Sequence, residues 1–257
     1  MSAHDRAIVN YFTQQAAIFA AGPELHSDAI LQLIVDAAAP RPSDRAIDLA
    51  CGPGSVVCAL AEHVAVATGL DTTPAMLDQA RALASRKGLA NVHWHSGDVY
   101  AVPYESSSFE IVTCRFAFHH FTNPVAAFAE MVRLTKPGGR IVVCDGVASS
   151  DPFKAAAFNA MEHWRDPSTV EFRTEAYLRK LFANAGLGEP AARHFQVPYL
   201  AHELVTGSFP KGGDRTGLIA LIEGSVDGDA LGMGARRTPD GVKIAFPSLV
   251  LSAVKPG

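Results

Sequence analysis

Residues 46–54 read Ala46-Ile47-Asp48-Leu49-Ala50-Cys51-Gly52-Pro53-Gly54. Ala46 to Ala50 form a short apolar run with one embedded carboxylate, Asp48. The run breaks at Cys51-Gly52-Pro53-Gly54 and resumes from Ser55 to His63 with helical spacing. The pattern predicts a strand, a tight glycine turn and a helix. Two residues without Cβ atoms let the backbone pass close to a ligand, and the following helix begins with unpaired N–H groups. A turn of this kind at the carboxyl end of a central strand suits a nucleotide-like ligand.

Which nucleotide is decided by what is missing. A dinucleotide fingerprint has a third glycine three residues after the second, but here that position is Val57. Asp48, four residues before Gly52, repels a pyrophosphate and suits a cation. Val64 to Leu70 then reads as a second strand ending at Asp71, 19 residues after Gly52. A carboxylate at that distance, at the end of the next strand, is placed to accept ribose hydroxyls.

Together these residues resemble the first motif of the class I S-adenosylmethionine (SAM) dependent methyltransferases, whose core is a Rossmann-like sheet. The resemblance covers roughly residues 10–147. It implies an α/β fold with a seven-stranded, mostly parallel sheet flanked by helices. It also implies cofactor contacts from Asp48, Ala50, Gly52, Gly54, Asp71 and Thr72, and from Met76 against the adenine. Further on, Asn91 to Ser96 is a third strand followed by Gly97-Asp98-Val99. The resemblance gives Asp98 the adenine amino group and Val99 a backbone contact to the ring. Phe109 to Arg115 is strand four, with Arg115 lining the cofactor pocket through its backbone. The implied cofactor is SAM, with S-adenosylhomocysteine as product. The small-molecule methyltransferases of ubiquinone and menaquinone biosynthesis are the nearest type.

Composition limits the partners. The chain has 257 residues, 48% of them hydrophobic, and a formal charge of -4. Nothing concentrates Lys and Arg into a basic patch, so nucleic acid is not an expected partner. No apolar run approaches about 18 residues, and Met1-Ser2-Ala3-His4-Asp5-Arg6 lacks a signal-peptide core. Cys51, Cys58, Cys114 and Cys144 form no C-x-x-C pair, which argues against zinc and for reduced thiols in a cytoplasmic protein. The expectation is a monomer or homodimer acting on a small molecule, away from membranes.

The remaining elements follow from periodicity. Residues 4–20 carry Ile8, Tyr11, Phe12, Ala16 and Phe19 on one helical face, and a second helix is predicted over 23–39. In the resembling enzymes such a segment folds over the cofactor, so Tyr11, Phe12 and Phe19 are lid candidates, with plain packing the alternative. Thr73 is a candidate cap for a helix opening at Pro74. His93 and His95 lie two apart on one strand face, without a third metal ligand. Pro124 to Thr135 reads as a helix, 136–139 as a turn and 140–144 as strand five, ending at Asp145. Helices are predicted over 152–164, 174–185 and 215–223, an extended stretch from Gly186 to Val197, and final strands over 242–246 and 248–254. One methyltransferase domain is expected. Residues 1–40 would form its helical lid, 41–150 its core, 151–240 a substrate-side insertion between strands five and seven, and 241–257 its last strands.

Catalytic residues are harder to read. His119 and His120 in Phe116-Ala-Phe-His-His-Phe121 are general-base candidates, because a neutral imidazole can take a proton near neutral pH; ordering the loop is the alternative. Asp145 could bind substrate or act as base. Glu162, His163, Arg165 and Asp166 form a polar cluster, from which His163 and Arg165 could orient an acceptor. The expected reaction is direct displacement onto an aromatic or heteroaromatic metabolite, at carbon, oxygen or nitrogen. A SAM-binding protein with other chemistry and a nicotinamide-dependent oxidoreductase are the alternatives.

Overall fold

The computed structural model describes residues 3–21 and 27–257, and the side chains of 6–16 and 27–257. Strands β1 (Arg45–Leu49), β2 (Val66–Asp71), β3 (Val92–Ser96), β4 (Phe109–Arg115), β5 (Thr135–Gly146), β6 (Ala191–Leu200) and β8 (Gly241–Val254) form a sheet in the order β3-β2-β1-β4-β5-β8-β6, with short β7 (Arg236–Thr238) paired to β8. Pairing is parallel from β3 through β5, and β8 runs antiparallel to β5, β6 and β7. The sheet therefore holds eight strands rather than seven, the extra one being the short hairpin partner.

Both faces are covered, which is why the central strands are nearly continuous in apolar residues. Alternate residues serve opposite faces. Ala46, Ile111, Val142 and Val250 pack under Ile34 and Val35 of α2 (Asp28–Ala38), Val56 and Leu60 of α3 (Ser55–Ala61) and Leu77 of α4 (Pro74–Arg86). Ile47, Val112, Val143 and Leu249 face Phe128 and Met131 of α5 (Pro124–Leu134) and Leu178 and Phe182 of α7 (Glu175–Asn184). A third apolar cluster joins Phe158 and Met161 of α6 (Pro152–Arg165) to Leu204 of α8 (Ala201–Thr206), Leu218 of α9 (Arg215–Gly224) and Phe246. Helix α1 (Ala3–Ala21) completes the set.

Several boundaries differ from expectation. Residues 23–26 of the helix predicted over 23–39 lie outside the described residues. The turn expected at 136–139 belongs to β5, because Gly138 and Gly139 pair with Lys255. The last two strands are one: β8 continues through Pro247, whose carbonyl accepts from Val147 N–H beside the end of the β5 ladder. Thr73 precedes α4 without a side-chain cap. Instead its N–H donates to Asp71 at 2.8 Å, so the cap position serves the strand end. Among the described residues, no helix is long and apolar enough to cross a membrane.

The order reverses between β1 and β4, so the carboxyl ends of β1, β2, β4 and β5 gather at one crevice. They carry Asp48, Asp71, Arg115 and Asp145.

Candidate active site

The turn after β1 is built by backbone geometry. Ala50, Gly52 and Gly54 all have positive φ, at 53, 51 and 81°. Asp71, at the end of β2, fastens the turn from the side, with Oδ2 accepting from Gly52 N–H and Oδ1 from Thr73 N–H, both at 2.8 Å. A carboxylate offers about four lone-pair positions, so two backbone bonds leave acceptor capacity on both oxygens. The two glycines do different jobs. A Cβ on Gly52 would meet nothing within 4 Å, so that position opens onto the cavity. A Cβ on Gly54 would come within 2.6 Å of the Trp94 ring and 2.8 Å of Ala80. Gly54 is therefore kept free of a Cβ by packing, and it is not among the residues lining the cavity above the turn.

A cavity of about 250 Å³ lies over this turn. Asp48, Ala50, Gly52, Asp71, Thr72, Met76, Asp98, Val99 and Arg115 all line it. So do residues the sequence did not single out, among them Cys51, Val56, Tyr100, Phe116 and Phe121, while Ile8 and Phe12 reach it from α1. Asp48 is buried and accepts from Thr113 Oγ1 at 2.6 Å. Burial pushes its carboxyl up to about 7, against the opposing pull of the Thr113 bond and Arg115. Asp71 is also raised by burial, with the Thr73 and Gly52 amides opposing. Three carboxylates and one guanidinium around an otherwise apolar space favour a cation-bearing ligand with a diol and a flat ring. SAM is such a ligand.

A second cavity, about 110 Å³, adjoins the first. Phe12, Phe116 and His120 line both. Phe116 holds a positive φ of 49° and carries the Arg115 guanidinium 4.7 Å over its ring. A bulky non-glycine residue in this region carries backbone strain that its surroundings must hold. The rest of the wall comes from distant segments, notably His119, Arg165, Asp166, Phe172, Tyr199 and Phe246.

The two histidines are not equivalent. His119 Nδ1 donates to Asp145 Oδ1 at 2.7 Å, and Asp145 also accepts from the N–H groups of His119 and Gly146. Asp145 sits behind His119, lining neither cavity, and fixes the orientation of the imidazole. With Nδ1–H fixed, Nε2 of the neutral ring carries the lone pair, and it makes no hydrogen bond among the described residues. The Phe172 ring stacks on this imidazole at 4.1 Å and 11°. His120 Nδ1 points at the Ser168 carbonyl, 3.0 Å away, and burial drives its pKa down to about 4. His120 is a neutral boundary residue.

On α6, Glu162 and Arg165 are one turn apart and form a two-pronged ion pair at 2.8 and 2.7 Å, with Glu162 fully buried. Arg165 reaches the second cavity. His163, on a different side of the helix, does not, and its Nε2 pairs with the Val170 carbonyl at 2.6 Å. Tyr11 lies in neither cavity either. Its ring stands edge-on to Phe209 at 6.4 Å, and its buried hydroxyl lies near Asp166, Arg165 and Glu162, behind the wall of the second cavity. The Phe19 side chain lies outside the described residues. Phe172, Tyr199 and Phe246 could not be found by spacing, since three separate elements bring them together.

Residues 47–143 match the methyltransferase domain family. The chain is 30% identical over 181 residues to the uncharacterised methyltransferase YcgJ of Bacillus subtilis, covering 70% of this chain and 69% of that protein. The crystal structure of YcgJ superposes with a TM-score of 0.78 at 25% identity, over 88% of this chain and 98% of that one. The ubiquinone/menaquinone biosynthesis C-methyltransferase UbiE of Ruegeria is 33% identical over 115 residues, 44% of this chain and 46% of that protein. The [4+2]-cyclase SpnF shares the fold, with a TM-score of 0.65 at 19% identity over 89% of this chain and 81% of that one. With the turn, the cavity and these relatives in agreement, the chain belongs to the class I SAM-dependent methyltransferases.

Proposed function

We propose that this enzyme methylates a small aromatic or heteroaromatic molecule seated in the second cavity, with SAM in the first. The observation carrying this reading is the shared boundary of Phe12, Phe116 and His120, which sets two ligand spaces side by side. When bound, SAM supplies a methyl group on a cationic sulfur that is open to direct displacement.

The chain's own residues then have five tasks. Asp71 accepts the ribose hydroxyls, while Gly52 and Ala50 let the backbone come close. Asp98, Val99 and Met76 hold the adenine. Asp48, Thr72 and Arg115 frame the polar end. Phe12, Phe116 and Phe121 exclude water where the acceptor must lie in line, and such alignment alone can supply up to about 7–11 kcal/mol. His119, oriented by Asp145, takes a proton where the acceptor has one to lose. The quinone-biosynthesis relative supports an aromatic ring of that kind as acceptor.

The test is calorimetric titration with SAM, S-adenosylhomocysteine and NADH in parallel. Both sulfur nucleotides are expected to bind and NADH is not; NADH binding alone refutes the assignment of the turn. Formation of S-adenosylhomocysteine only when a ring acceptor is added then separates methyl transfer from other uses of the cofactor.

A further inference from the structure

The second cavity is unusual in its charges. Its walls are mostly aromatic, yet three carboxylates, Asp145, Glu162 and Asp166, stand at or directly behind them against two guanidiniums, Arg165 in the wall and Arg115 over the Phe116 ring. Burial works against the Arg165 charge, but the paired Glu162 more than offsets it, so the guanidinium stays ionised. Arg215 lies beyond, bonded to the Ser208 carbonyl on the exposed side. Each carboxylate already has a donor within the protein: His119 and Gly146 for Asp145, Arg165 for Glu162, and Ser168 N–H and Oγ for Asp166 at 2.8 and 2.5 Å.

Resting on the methyl-transfer reading above, we infer that this cavity selects its acceptor by charge: it takes an uncharged hydroxylated ring, passes the hydroxyl proton to His119 Nε2, and rejects rings that carry a carboxylate or phosphate. A second anion placed among these carboxylates is repelled in a low-dielectric space, where unpaired charge is most costly. A neutral hydroxyl fits, because Nε2 is a bare acceptor and the rings offer flat apolar walls. The proton balance closes within the site. The hydroxyl proton moves to Nε2, Asp145 faces the resulting imidazolium, and the oxygen keeps the electron pair that bonds to the incoming methyl.

The test uses the wild-type chain saturated with S-adenosylhomocysteine and labelled with 15N-histidine. Phenol and benzoate are titrated as probes, with affinity and the His119 Nε2 signal read by NMR. Phenol is expected to bind at least tenfold more tightly than benzoate and to shift Nε2. In Asp166→Asn the gap between phenol and benzoate should narrow. Benzoate binding as tightly as phenol overturns the inference, and so does phenol that leaves Nε2 unmoved. If S-adenosylhomocysteine itself does not bind, the functional reading fails; if it binds and phenol does not, only the charge selection fails.

Discussion

The two cavities are built on opposite principles. The first is made by backbone, from strand ends in fixed register and a turn whose positive φ angles are held by Asp71. Its polar groups come from consecutive strands of one parallel sheet. The second is made by side chains from six segments far apart in the chain, held by a buried ion pair, an imidazole–carboxylate pair and stacked rings. Backbone geometry is general and tolerates varied wall residues, so it suits a cofactor used by many enzymes. Side-chain geometry is specific and can be rebuilt one residue at a time, so it suits an acceptor that differs between them.

The sharpest way to break this contrast is at Glu162. Removing one partner of a buried pair leaves the other charge stranded, at a cost of about 3–5 kcal/mol. Glu162→Gln should therefore lower unfolding free energy by that order, measured in urea. The double variant Glu162→Met with Arg165→Met should recover most of the loss, since apolar replacements of a buried pair are often neutral. Equal losses in the single and double variants would mean that the pair supports the fold directly. SAM affinity, a property of the other cavity, should change less than threefold in the double variant.

The first cavity is probed by its two glycines. Gly54→Ala adds a Cβ against Trp94 and Ala80 at positive φ, so strain of about 1–2 kcal/mol adds to overpacking of about 1–3 kcal/mol. Gly52→Ala meets no atom and bears only the backbone term, yet it fills space facing the ligand. The expected outcome is a crossed pattern: Gly54→Ala loses more thermal stability, and Gly52→Ala loses more SAM affinity per unit of stability lost. Parallel losses would show that both glycines serve one role.

This crossed pattern also explains what could be read in advance. Asp48, Asp71 and Asp98 were legible because parallel strands joined through single helices repeat at nearly fixed spacing, and spacing survives in sequence. Gly54 is less legible, because a glycine in sequence records only that a Cβ is unwelcome, not whether a ligand or Trp94 excludes it. Pro247 hid the continuity of β8, since proline ordinarily ends strands and its tolerance here depends on where the β5 ladder stops. His119 and His120 were found as a pair but not told apart. Their difference lies in Asp145 and Ser168, 26 and 48 residues away. Phe172 and Phe246 had no signal at all.

The smallest expected effect joins the two regions through pH. Asp48, in the first cavity, is raised by burial from 3.8 to about 7. His120, at the boundary, is lowered by burial from 6.5 to about 4. Between pH 4 and 7 the folded chain holds the Asp48 proton that the unfolded chain has released, so this group makes stability fall as pH rises. Between pH 4 and 6.5 the unfolded chain protonates His120 and the folded chain does not, so this group makes stability rise with pH. The two slopes oppose each other up to about pH 6.5, each at most about 1.4 kcal/mol per pH unit. Above that, only Asp48 acts. Asp48→Asn should therefore steepen the gain in urea midpoint from pH 4.5 to 6.5 relative to wild type and remove the decline towards pH 7. His120→Gln should do the reverse, leaving a decline across the whole interval. Were both variants to run parallel to wild type, neither group would keep a displaced proton equilibrium in the folded chain, and the buried carboxylate beneath the cofactor turn would be an ordinary one.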